Sequence, residues 1–226
     1  MQVAENIFAR LEKQAKGQKD KKEALFFIEK VIQHLNTEKP LRSLIVTPEE
    51  EVLFGIYPFL TRKKVLYLAN VAESDLPSEN IYLQKVRQYA QKENSLVVPI
   101  CAKIEEEIAQ LAPAERQEFL QMAGLVGSGL DRLIKAAFEL LDLITFLTTG
   151  EMETKAWTIK KNTPAQEAAG KIHSDIQKGF IRAEVVSYKD MITYNGRVGA
   201  REAGKARMEG KNYLVQDGDV ILFYHN

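Results

Sequence analysis

Three features of this 226-residue sequence predict an α/β layer joined to a smaller α+β module. Two short apolar runs, Val65-Leu66-Tyr67-Leu68-Ala69 and Leu96-Val97-Val98-Pro99-Ile100, have the composition of strands buried on both faces. A helical pattern separates them and another follows; strand, helix, strand, helix implies parallel strands joined by crossovers. Beyond Gly150 the hydrophobic period changes, and short strand-like runs surround one helical segment.

Composition narrows the functional classes. Lys and Arg number 31 and Asp and Glu also 31, so the formal charge at pH 7 is zero. A protein that coats nucleic acid by bulk charge needs a basic excess, which leaves only a local basic patch for that role. At 45% hydrophobic and 27% charged residues, the chain reads as an ordinary globular protein of one or two domains. The single cysteine, Cys101, excludes a disulfide framework and a cysteine-based zinc site and suits a reducing, cytoplasmic setting. No apolar run approaches the roughly 20 residues of a membrane span. The first ten residues carry Glu5 and alternate polar with apolar side chains, unlike a signal peptide.

The elements follow in order. Val3, Ile7 and Leu11 recur every four residues; after a polar break at Gly17-Gln18-Lys19-Asp20, Leu25, Ile28, Ile32 and Leu35 repeat at three and four. Two helices around a polar turn predict an antiparallel hairpin, which either packs on itself or projects as an arm for a protein partner. Phe26 and Phe27 cannot both face one seam, and this speaks for the arm. Pro40 ends the hairpin. Thr47-Pro48-Glu49-Glu50 is a helix start: a Thr cap, Pro in the first turn, and acids at the positive end of the dipole. Helical spacing returns over residues 81–92 (Leu83, Val86, Ala90), again from Lys103, and last through Leu130, Leu133, Ile134, Ala137, Phe138 and Leu141. A domain boundary falls within residues 142–150. Next come a strand over residues 155–159 and a helix opened by Thr163-Pro164-Ala165 that stops at Gly179. Residues 181–187 read as a strand, and residues 213–215 and 220–224 as strands flanking the turn Gln216-Asp217-Gly218-Asp219.

Chemistry concentrates at two strand ends. Asn70-Val71-Ala72-Glu73 sits at the carboxyl end of a buried strand, where ligands bind in open α/β sheets. Asn-x-x-Asp in that place is how GTP-binding proteins hold the purine, and here the acid is Glu73, one methylene longer. Adenine presents a donor at the six-position where guanine presents an acceptor. At the end of the next strand, Cys101-Ala102-Lys103 is comparable to the Ser-Ala-Lys loop that backs the base in those proteins. Asn70 and Glu73 read alternatively as a turn and cap after a strand, and Lys103 as the start of a solvated helix. A basic run, Arg197, Arg201, Lys205, Arg207 and Lys211, reads either as a solvated face or as an RNA phosphate contact.

The remaining candidates are weaker. Gly199-Ala200-Arg201-Glu202-Ala203-Gly204-Lys205-Ala206 imitates a phosphate loop, yet Ala206 lacks the hydroxyl that binds magnesium. His34 and His225 have no metal-ligand company and are expected in solvent. His173, beside Asp175, reads as a hydrogen-bonder at a helix end, and Trp157 as core.

The surrounding words make a closer match. Residues 65–73, Val98-Pro99-Ile100-Cys101-Ala102-Lys103, Ser128-Gly129-Leu130, Ala156-Trp157-Thr158-Ile159, residues 168–175, Lys178-Gly179-Phe180-Ile181-Arg182-Ala183-Glu184, Glu202-Ala203-Gly204-Lys205 and residues 210–219 together resemble the Obg-like ATPase family, also called YchF. The resemblance covers the whole chain and is most specific in the last 80 or so residues. It implies a helical coiled-coil hairpin over residues 1–45, the second part of a P-loop nucleotide-binding (G) domain over 46–142, and a TGS domain, a ubiquitin-like β-grasp module, over 143–226. It further implies ATP, in preference to GTP, with magnesium as the family's cofactors; base-binding roles for Asn70, Val71, Glu73, Cys101, Ala102 and Lys103; and a ribosome or RNA partner at the TGS domain. The family's P-loop, switch segments and magnesium ligands have no counterpart in this sequence. No catalytic residue is therefore assigned, and no hydrolysis is expected from the chain alone; a non-enzymatic adaptor for RNA, ribosome or protein is the alternative reading.

Overall fold

The structure is a computed structural model that describes residues 1–14, 19–76, 78–125, 127–150 and 153–226. It divides into two compact units, Met1–Leu130 and Asp131–Asn226.

The first unit opens with helices α1 (Gln2–Gln14) and α2 (Lys19–Leu35), which pack on each other. Of the polar break expected at Gly17-Gln18-Lys19-Asp20, residues 17 and 18 lie outside the described residues, and Lys19 and Asp20 already belong to α2. Their seams enclose Ala4, Leu11, Ala24, Phe27, Ile28 and Val31, in one core with Leu41, Phe54 and Phe59. Phe27 stands edge-on to Phe54 at 4.8 Å, so this core joins the two helices to α3 (Pro48–Ile56). Phe26 faces away and is 69% exposed, as the helical period requires of its neighbour. The start of α3 is the expected one: Thr47 Oγ1 accepts from the Glu50 N–H at 3.3 Å, and the Glu50 carboxylate accepts from the Thr47 N–H at 2.9 Å.

Strand β1 (Leu66–Asn70), α4 (Ile81–Lys92), β2 (Leu96–Ile100) and α5 (Ala102–Gln110) follow, then α6 (Pro113–Met122). The strands are parallel neighbours, paired from Leu66 with Leu96 through Asn70 with Ile100. Burial on both faces does not hold for β1: Leu68 is 46% exposed, so its face of the two-stranded sheet is only partly covered. One carboxylate anchors this layer. Glu93, just past α4, accepts from the Arg42 guanidinium at 2.9 Å, the Tyr67 hydroxyl at 2.7 Å and the Tyr89 hydroxyl at 3.0 Å.

Helix α7 (Gly129–Leu140) spans the division between the units. The second unit contains β3 (Leu143–Thr149), β4 (Thr154–Lys160), α8 (Ala165–Gly170), α9 (Ser174–Lys178), β5 (Phe180–Ser187), α10 (Tyr188–Thr193), α11 (Arg197–Glu202), β6 (Arg207–Glu209) and β7 (Asp219–His225). The sheet order is β4-β3-β7-β5-β6, with β3 and β7 parallel and the other pairs antiparallel. One face of the sheet encloses Ile144, Phe146, Ile159, Ala183, Val185 and Ile221 with Ala165 and Ala168 of α8.

Four expectations need correction. Residues 213–215 form no strand, only an isolated bridge between Pro164 and Leu214, although Val215 is buried. The helix expected from Thr163 to Gly179 is two, because the chain turns after Gly170 and restarts with His173 capping α9. The sequence reading places no strand between residues 142 and 150, yet Leu143–Thr149 form β3, inside the sheet between β4 and β7. His34 is not simply solvated: its Nε2 lies 3.2 Å from the Pro40 carbonyl and 3.1 Å from Ser43 Oγ, which fixes the end of α2.

Candidate functional site

Parallel pairing brings the carboxyl ends of β1 and β2 side by side, and with them both sequence-derived loops. The ladder extends one residue past the strands, with the Val71 N–H donating to the Ile100 carbonyl at 2.8 Å. Asn70 then crosses between the loops: its Oδ1 accepts the Ala102 N–H at 3.1 Å, although 32 residues separate them in sequence. After Ala72 the chain enters a 3₁₀ turn, Glu73–Asp75, which carries the Glu73 carboxylate. Together Asn70, Val71, Ala72, Glu73, Ser74, Cys101, Ala102 and Lys103 line an open hollow of about 670 Å³. Asn70, Glu73, Ala102 and Lys103 are exposed there, whereas Cys101 is only 4% exposed and belongs to a small core with Ile104 and Ile108. Cys101 therefore supports the loop from beneath. Among the described residues Lys103 makes only a long pair with Glu107, 3.9 Å away and one helical turn on.

Two features of this region escape a sequence reading. Ser74 lines the hollow and is marked only by its place beside Glu73. Glu105 of α5 accepts the backbone N–H groups of Gly129 at 2.6 Å and Leu130 at 3.2 Å, which ties the helix after the second loop to the start of α7. The approach is close. A Cβ on Gly129 would lie 2.7 Å from both Glu105 Oε1 and Ile100 Cγ2, so glycine is required for contact and not for turning.

The basic run divides. Arg197 and Arg201, on α11, both bind Glu184 of β5, at 3.1 Å and 2.8 Å, and Glu184 is 1% exposed. Arg207 lies in β6 opposite Val185, a core-facing residue, so it stands on the other side of the sheet. There it donates to the Tyr213 hydroxyl at 3.2 Å and approaches Asp219 to 4.0 Å. Lys205 and Lys211 are exposed. Glu184 was legible in principle: a single acid inside an apolar strand is buried with partners or is not there at all. Burial raises its pKa, but the Arg201 and Arg197 hydrogen bonds outweigh that and hold it below the usual carboxylate range. Tyr213 is pushed up to about 12, by burial first and then by donating to the Asp219 carboxylate. The segment that imitates a phosphate loop forms the end of α11 and the turn after it, and a Cβ on Gly199 would run into the Tyr194 carbonyl oxygen. Among the described residues no group of three or more His, Cys, Asp or Glu is placed to hold a metal ion, and no helix is long and apolar enough to cross a membrane.

Comparison with known proteins gives consistent results. A relative named "Ribosome-binding ATPase YchF" from Bacillus subtilis is 49% identical over 231 aligned positions, 100% of this chain and 63% of that protein. Its namesake from Escherichia coli O157:H7 is 47% identical over 100% of this chain and 62% of its own length. Over its whole length the chain is thus similar to one part of the YchF proteins. The family model YchF-GTPase_C, described as "Protein of unknown function (DUF933)", matches residues 143–226. A solved structure, the Schizosaccharomyces pombe YchF GTPase, superposes with a TM-score of 0.87 at 31% identity, over 99% of this chain and 61% of that one. The chain thus spans a little over three fifths of the length of the YchF relatives it matches.

Proposed function

We propose that this chain supplies the purine-reading loops and the partner-binding module of a nucleoside triphosphate-dependent switch acting at the ribosome in the cytoplasm. One observation carries the reading: Asn70 Oδ1 holds the Ala102 N–H, so a single amide locks two strand-end loops into one rim around an exposed hollow. An ionised carboxylate on the Glu73 turn can accept from the amino group of adenine and equally from the ring N–H and amino group of guanine, so the choice rests on the resemblance, in which Glu in place of Asp goes with ATP. ATP is accordingly the proposed nucleotide, with GTP second. Residues 46–142 serve as the later part of a G domain and residues 143–226 as a β-grasp TGS module. The names of the relatives support the ribosomal setting.

The residues present fit a base and leave the phosphates and magnesium without a cradle, since the sequence contains no Gly-x-x-x-x-Gly-Lys-[Ser/Thr]. Binding without turnover is therefore the proposed activity of the chain alone. RNA or ribosomal protein is the proposed partner of the second unit, through Lys205 and Lys211 with the outer part of Arg201, because Arg197 is committed to Glu184. The helices α1 and α2, with Phe26 exposed, are the proposed protein-contacting arm.

The test is titration of the chain with a fluorescent ATP analogue, competed by ATP and by GTP. ATP competition stronger than GTP, with at least a tenfold loss in Asn70→Ala, is the expected outcome. Absence of binding by the wild-type chain would instead favour a non-enzymatic adaptor in which the rim is structural.

A further inference from the structure

Strand β4 is the longer free edge of the second unit's sheet. It pairs with β3 over seven consecutive positions without a bulge, from Leu143 opposite Lys160 to Thr149 opposite Thr154. In such a ladder alternate residues aim both N–H and C=O away from the partner strand. On the outer side of β4 the Lys160 carbonyl is taken, by the Thr163 N–H at 3.2 Å and the Thr163 hydroxyl at 2.6 Å, whereas among the described residues no backbone hydrogen bond outside the β3 ladder reaches Thr154, Ala156 or Thr158. The opposite edge, β6, is only three residues long, and short edges are one way that proteins blunt strand addition. β4 is long, and its lysines are the device it carries: they oppose pairing with a like-charged strand but not with an acidic one. It contains neither proline nor glycine, and the side chains on one of its faces, Thr154, Ala156 and Thr158, are small and exposed, which leaves room for another backbone.

Charge selects what could fill that room. Residues 154–161 hold three lysines, Lys155, Lys160 and Lys161, and no acid. None of the three makes an ion pair among the described residues. Lys160 Nζ donates to the Leu141 carbonyl at 2.7 Å, and Lys155 Nζ lies 4.4 Å from the centroid of the Trp157 ring, so two of the charges are held near the edge by neutral groups. A second copy of the chain would bring lysine-rich strands together, and edge lysines disfavour such pairing. We propose that β4 is a strand-addition site for an extended, acidic segment of a partner protein. The backbone ladder would supply affinity, and the lysines would select for carboxylates. This surface is separate from the hollow at Asn70 and does not depend on nucleotide binding there.

The experiment uses the full chain and a synthetic probe, acetyl-Glu-Val-Glu-Thr-Val-Glu-Val-Glu-amide. Trp157, the only tryptophan in the sequence, sits on β4 and reports binding by its fluorescence; hydrogen exchange locates the protection. Saturable binding with slowed exchange confined to the outward amides of β4 is expected. The same peptide N-methylated at alternate residues should lose binding, since it cannot pair, and a peptide with Lys in place of Glu should not compete. Lys155→Glu with Lys160→Glu should weaken the acidic peptide about tenfold while leaving the protein folded, a scale set by two exposed charge pairs. Equal binding by the N-methylated or the basic peptide, protection elsewhere on the molecule, or self-association through β4 without any peptide would each overturn the proposal.

Discussion

Within the run from Arg197 to Lys211, side chains that look equivalent in sequence do unequal work. Arg197 keeps 15% of its side-chain surface and faces a carboxylate that keeps 1%. Breaking such a pair from one side leaves a buried charge short of a partner, and the cost is about 3 kcal/mol. Lys205 is exposed and makes no ion pair, so Lys205→Ala should change stability by less than about 0.5 kcal/mol. Urea unfolding of Arg197→Ala and Lys205→Ala checks this contrast. Equal midpoints would mean that Glu184 is satisfied without Arg197. The sequence reading groups these residues because it sees charge and spacing. It does not see that strand alternation puts Arg207 on the side of the sheet opposite Glu184, nor that one buried acid captures two of the five. The placement of Asn70, Glu73 and Lys103 beside one hollow was legible for the converse reason: they follow strand ends, and the apolar runs mark strand ends directly.

At the scale of elements, legibility followed the strength of the local signal. The capping residues of α3 and the two apolar runs placed α3, β1 and β2 to within a residue or so of where they stand. β3 went unread because Leu143–Thr149 follows the apolar face of α7 with only Leu141 and Asp142 between them; Asp142 takes a left-handed turn, φ 53°, that a non-glycine residue does not advertise. The α8–α9 break was hidden similarly, since the residues on both sides of it continue a helical pattern. Close packing, too, is silent in sequence. Gly199 lies where α11 meets the end of α10, and any side chain there presses on the Tyr194 carbonyl. Gly199→Ala should therefore displace α11, carry both arginines away from Glu184, and cost about 1–3 kcal/mol despite alanine's better helix propensity. A thermal melt checks it, and a raised midpoint would show that propensity outweighs the contact.

Across the whole molecule, each unit contains a carboxylate that gathers donors from distant elements. In the first, Glu93 joins Arg42, Tyr67 and Tyr89; in the second, Glu184 joins Arg197 and Arg201. Burial raises both pKa values, but the hydrogen bonds, from Tyr67 and Arg42 to one and from Arg201 and Arg197 to the other, leave both below the ordinary carboxylate value. A pKa lower in the folded than in the unfolded chain means that the unfolded chain takes up protons first as the pH falls. The stabilisation is thus complete above about pH 4.3, the value of an unperturbed glutamate, and is lost progressively as the pH drops through the folded values. Stability at neutral pH should be flat by this account, with a steep decline only below that point. Glu93→Gln and Glu184→Gln should each be less stable than wild type at pH 7, because a neutral amide replaces the carboxylate that the guanidinium groups and hydroxyls hold. Each should also show a shallower acid decline, because one of the linked protons is gone. Urea unfolding at pH 7, 5, 4 and 3 measures both effects, and the variants separate the units: if Glu184→Gln declines between pH 5 and 3 as steeply as wild type, the second unit's acid sensitivity resides elsewhere.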